Sequence, residues 1–165
     1  MSFATRADLL ARGSANRIAQ LAVPTDMDMA PRDAVRAVLD GADVASFPAD
    51  QQPALAGALA AVNDALSDAD ALILSYGIPE DAITPMLTRL ACTIALYNLQ
   101  GVERMTEAMQ KQYDAVLAML KSHAKGEISL IPAAPTDPAE SDDLAIIESQ
   151  PRRYGGAAPA AAEDW

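Results

Sequence analysis

The sequence predicts a mainly α-helical fold: a compact bundle of about four to six helices, with a short β element near residue 130 and an extended C-terminal arm. Three observations carry this. Between Gln52 and Tyr76 the apolar residues Leu55, Leu59, Val62, Leu66, Ala69, Ile73 and Tyr76 step by four and three without a break. That is one helix with a continuous seam, close to the 3.5-residue repeat of coiled-coil packing. From Thr84 to Gln100 the chain is apolar nearly all round, as befits a helix in the middle of a bundle. Beyond Pro132 it turns to proline, alanine and acid, a mixture that cannot bury enough apolar surface to fold alone. The boundaries are therefore a helical domain over residues 1–131 and an arm over 132–165.

Taken in order, Thr5 followed by Asp8 is a capping-box start for a short helix, with Leu9 and Leu10 on its apolar side and Gly13 at its end. Ser14 caps a second short helix bearing Ile18, Leu21 and Ala22, closed by Pro24. Residues 26–50 are polar and proline-punctuated and read as an insertion. Within them Pro31 begins a brief amphipathic helix with Val35, Val38, Leu39 and Ala42 on one face.

After the long helix, Gly77 and Pro79 force a break, and Thr84-Pro85 starts the next one. The threonine hydroxyl can accept an orphan backbone N–H, and proline loses nothing at the first helical position. Its polar stripe is Arg89, Thr93 and Gln100; Gly101 stops it. A last helix runs from about Arg104 to Lys125 on a seam of Met105, Met109, Tyr113, Val116, Leu117 and Leu120, and Gly126 ends it. Glu127–Ile131 then alternates polar and apolar residues, as a half-exposed strand does, and Leu144–Glu148 is a second strand candidate.

Composition narrows the function. Of 165 residues, 51% are apolar but only 4% aromatic, and alanine dominates. Alanine-rich helices bury little area each, so assembly with other copies would add the stability that a monomer lacks. Twelve basic residues against 23 acidic ones give a net charge of −11, the wrong balance for gripping DNA phosphates. The N-terminal residues hold no apolar run of signal-peptide length, and no stretch approaches the roughly 18 apolar residues of a membrane span. The expectation is a soluble protein made in the cytosol, without a membrane partner.

No glycine loop of phosphate-cradling type exists, and a lone His123 lacks the partners of a catalytic or metal site. Cys92, on the most apolar helix, reads as a small core hydrophobe. Asp26, Asp28 and Asp33 lack the glycine and glutamate of a calcium loop and read as solvated. Asp64, Asp68 and Asp70 read as a water-facing helix side, and Met105, Met109 and Met119 as packing. The expectation is no enzyme, no cofactor and no metal. Two short helices over residues 5–22, with Arg6, Arg12 and Arg17, leave a small DNA-binding regulator as an alternative. Candidate protein-interface residues are Arg89, Thr93 and Gln100 on the polar stripe, Ile128 and Leu130 on the strand candidate, and Arg152, Arg153, Tyr154 and Trp165 in the arm. Arginine, tyrosine and tryptophan are favoured binding hot spots.

Four stretches carry a resemblance: FATRADLLARGSANRIAQLA near the start, ALSDADALILSYGIP, ITPMLTRLACTIALYNLQ, and YDAVLAMLKSHAKGEISL. A helix ending in Tyr-x-x-Pro, a helix with Ala-x-Tyr-x-Leu and a helix with Tyr-x-x-x-Leu closed by Lys-Gly follow in that order. This resembles the Mu-like phage head–tail connector (adaptor) family over about two-thirds of the chain. The segment 26–47 is longer than the family pattern, and little after Asp137 matches it. The resemblance implies a virion structural protein of the neck: a ring of copies, twelve-fold to match the portal, joining head to tail. Its partners would be further copies of itself, the portal protein and a downstream stopper or tail-terminator protein, with DNA as non-specific cargo through the lumen. A virion assembly chaperone is a further alternative.

Overall fold

The structure is a computed structural model and describes residues 2–23, 27–101 and 105–131. Six α-helices and one 3-10 turn account for its regular structure: α1 Arg6–Arg12, α2 Ala15–Ala22, α3 Arg32–Leu39, the turn Val44–Ser46, α4 Gln52–Ser75, α5 Pro85–Gln100 and α6 Glu107–Ala124. The mainly helical fold is as the sequence predicts.

Local chemistry sets most boundaries. Thr5 accepts the Asp8 N–H while the Asp8 carboxylate accepts the Thr5 N–H, so the capping box at α1 is complete. Ser14 accepts the Arg17 N–H at the start of α2, and Thr84 accepts the Leu87 N–H at 3.1 Å at the start of α5. The last helix begins at Glu107, later than its periodicity suggested. Thr106 caps it by accepting the Met109 N–H, and a cap outweighs an extra turn of apolar spacing.

The 24 residues of α4 form the axis. Helix α5 packs along it, α2 and α3 also pack on it, and α1 rests on α5 and α3. Because several elements converge on α4, its buried arc is wider than the predicted seam: Ala54, Ala58 and Ala65 join Leu55, Val62, Leu66, Ala69 and Ile73. Leu59 and Tyr76 are half-buried. Helix α3, in the segment read as an insertion, gives Ala34, Val35, Val38 and Leu39 to the same core. Ala42 does not follow them and is exposed, since the chain leaves the helix at Gly41 (φ 111°).

The N-terminal residues are stapled into this core. Phe3 is 2% exposed. Its N–H donates to Asp70 Oδ1 at 3.0 Å, and its carbonyl accepts from Thr88 Oγ1 at 2.9 Å. Asp70 is thus a structural acceptor that ties the segment before α1 to α4, not part of a water-facing acidic side.

Two further expectations are corrected. Helix α6 packs on α5, and of its predicted seam just Val116 and Leu120 are buried. Met105, Met109, Tyr113 and Leu117 are half-buried and Met119 is exposed, because one neighbouring helix covers one narrow stripe. The short β element at Glu127–Ile131 is not formed, and no strand occurs among the described residues. Gly126 adopts φ 75°, turning the chain back over the end of α6. There the Glu127 N–H donates to the Ser122 carbonyl at 2.9 Å and the Leu130 N–H to His123 Nδ1 at 3.4 Å. Backbone groups engaged in finishing a helix are not free for a ladder. His123 is accordingly a capping residue. The second strand candidate, Leu144–Glu148, lies outside the described residues.

Candidate interaction site

The most developed concavity is a groove of about 530 Å³ between α5 and α6. From α5 come Met86, Arg89, Thr93 and Leu96, spaced three, four and three residues apart and so aligned on one face. From α6 come Gln112, Ala115 and Met119 at the same helical spacing, and Arg12 enters from the end of α1. Met86 from one wall is 38% exposed and Met119 from the other is 37% exposed, so the cleft presents apolar surface to solvent. The floor is apolar and the rim carries two guanidinium groups. Such a groove can take a helix or an apolar segment flanked by acids.

Its polar lining offers little for catalysis. Thr93 Oγ1 donates to the Arg89 carbonyl at 3.0 Å, so the hydroxyl is tied back to its own helix. Cys92 lies at the floor, 1% exposed, and burial pushes its thiol up to about 11, with the Arg12 guanidinium pulling weakly the other way. A protonated, buried thiol is a poor nucleophile at neutral pH. Among the described residues no group of three His, Cys, Asp or Glu side chains is placed to hold a metal ion.

On a different part of the α5–α6 contact, Tyr97 and Tyr113 stack with ring centroids 3.7 Å apart and planes 7° apart. Tyr97 Oη donates to Gln110 Oε1 at 3.1 Å, and Gln110 Nε2 donates to Asp114 Oδ1 at 2.9 Å. Burial, then the neighbouring Tyr97 hydroxyl, raises the pKa of Tyr113. This cluster fixes α6 on α5 and has no open face of its own to match the groove.

The predicted interface residues divide between these places. Arg89 and Thr93 line the groove. Gln100 does not join them: it is 4% exposed, and its Oε1 has no hydrogen-bond partner among the described residues. Seven residues and two turns beyond Thr93, Gln100 keeps to their face but is covered at the end of α5, so the open part of the stripe is two residues long. Ile128 is 42% exposed and Leu130 is half-buried, both in the turn after α6 and neither on a strand. Arg152, Arg153, Tyr154 and Trp165 lie outside the described residues. Arg12, Met86 and Met119 also line the groove and were not among the predicted interface residues. The i, i+3, i+7 spacing of Met86, Arg89 and Thr93 was a signal for the α5 wall, whereas nothing local ties Arg12 to it.

The short helices over residues 5–22 serve the core, with Leu9, Ile18, Ala19 and Ala22 buried, and Arg12 faces the groove. Among the described residues no helix is long and apolar enough to cross a membrane.

A helical domain with an open apolar groove between two of its helices has the form of a subunit that binds another polypeptide. The chain belongs to the family described as Bacteriophage Mu, Gp36, whose model matches residues 3–148. It is therefore a protein of the Mu-like phage type, and that family points to virion structure or morphogenesis. No curated protein matches the chain.

Proposed function

We propose that this protein is a head–tail connector of a Mu-like phage, an adaptor whose copies form a twelve-fold ring in the neck between portal and tail. The observation that carries the reading is the exposed apolar groove between α5 and α6 in a member of this phage family. A subunit that leaves Met86 and Met119 open to water has surface to bury against a neighbour. The net charge of −11 suits a passage through which DNA slides without adhering. The partners are further copies, the portal protein and the next protein of the tail side, a stopper or tail terminator. The protein performs no reaction in this role.

Mixing the purified chain with its portal and measuring mass by light scattering tests the proposal. A ring-sized complex is the expected result, and two separate species at every ratio would sink it. The protein content of mature particles separates a connector from an assembly chaperone, which would be missing from them.

A further inference from the structure

We infer that the α5–α6 groove receives the outer face of α4 from a second copy of this chain, in a head-to-tail contact fastened by Arg12 and Arg89 on one copy and Asp64 and Asp68 on the other. The inference rests on the reading of the chain as a self-assembling subunit and names the contact.

The argument begins with the groove. Its two walls are helices, its floor is apolar, and its rim is cationic at Arg12 and Arg89. Arg89 forms no ion pair among the described residues, whereas Arg32, Arg36, Lys111 and Lys125 each have an acid within 4.0 Å. The fitting occupant is a helix that is acidic on one side and small enough to lie between two others.

The same chain carries such a helix face. Asp64 and Asp68 are exposed on α4, one turn and about 6 Å apart along the axis. The other helical acids are engaged: Asp8 in its capping box, Asp33 with Arg32, Asp70 with the Phe3 N–H, Glu107 with Lys111 and Asp114 with Gln110. Asp64 and Asp68 form no ion pair among the described residues. Around them α4 exposes Ala56, Ala60 and Ala71, small side chains that let a second helix approach closely and leave hollows for Met86 and Met119.

Both surfaces are available at once. Helix α5 packs on α4 and on α6, and the groove is lined from α1, α5 and α6 with no residue of α4. One copy can give its α4 face to one neighbour and its groove to another. A contact between two different patches repeats from subunit to subunit and closes into a ring when the rotation allows. Overall repulsion between copies of charge −11 makes the local pairing of opposite charges decisive for register.

A charge exchange in the full chain tests this. Sedimentation of the native protein alone, up to about 1 mM, is expected to show mass rising above a monomer with concentration. Arg89→Glu, and separately Asp64→Lys with Asp68→Lys, are each expected to weaken self-association about tenfold or more, because like charges then meet. An equimolar mixture of the two variants is expected to regain native mass, since the introduced glutamate of one then meets the introduced lysines of the other. That recovery also shows both variants to be folded. Native chain that stays monomeric across the range, variants that associate as the native chain does, or a mixture without recovery would each overturn the contact. Rings formed by both variants with the portal would overturn this docking while leaving the connector reading intact, whereas no ring from native chain and portal would remove the connector reading itself.

Discussion

At the scale of single residues, the clearest device is the reciprocal cap of Thr5 and Asp8. The Thr5 hydroxyl donates to Asp8 Oδ2 at 2.6 Å and its N–H donates to the same oxygen at 2.9 Å, so the carboxylate is held below its ordinary 3.8. A carboxyl whose pKa is depressed in the folded state adds stability above the unfolded value, and that stability is lost as pH falls through the folded one. Denaturant titrations from pH 5 downward should therefore show native stability falling below about pH 4 more steeply than that of Thr5→Ala, which lacks both side-chain bonds. Equal slopes for the two proteins would mean that the cap does not hold the charge. Gln100 shows the opposite situation, a buried carbonyl oxygen with no donor among the described residues. Sequence could supply the first and not the second: a cap is written in four consecutive residues, whereas Gln100 shares the face of Arg89 and Thr93 and is buried by what the rest of the chain lays over the end of α5.

Among the elements, α6 was the least legible. Its apolar spacing was correctly read as one face, but periodicity does not say how many helices cover that face. One does, so Leu120 is fully buried while Met119, one residue away, is 37% exposed. Leu120→Ala should cost about 2–4 kcal/mol in urea unfolding, and Met119→Ala less than about 0.5 kcal/mol. A large loss from Met119→Ala would mean that it is covered in the free protein. The strand expected at Glu127–Ile131 failed for a related reason. Alternation describes one strand, but a strand needs a ladder, and the end of α6 took these backbone groups first. Arg12 and Arg89 lie far apart in the chain and meet only through the packing of α1 on α5, so half of the groove's charge was invisible in any local pattern. The caps at Thr5, Ser14 and Thr84 and the core face of α4 were all legible, because each is settled within a few turns of chain.

For the molecule as a whole, the acidic excess weighs on stability as well as on partners. With 23 acids against 12 bases, the excess negative charge repels itself in the compact state more than in the expanded chain. Raising the salt from about 0.05 to 0.5 M screens that repulsion, so the thermal midpoint should rise by a few degrees in scanning calorimetry. A midpoint that falls with salt would point instead to stabilising ion pairs, which are few and exposed among the described residues: the closest, Lys111 to Glu107 at 2.7 Å, has both side chains more than 70% exposed.

The staple at Phe3 also sets an order of events during synthesis. Its carbonyl is satisfied by a hydroxyl 85 residues later, and its N–H by a carboxylate 67 residues later. At roughly 5–20 residues per second, the ribosome takes about 4–17 seconds to add those 85 residues. Until α5 has cleared the exit tunnel, a nascent chain carries Phe3 without its final partners. Phe3 is thus made well before the side chains that lock it, and the growing chain carries it without these two bonds for the whole interval.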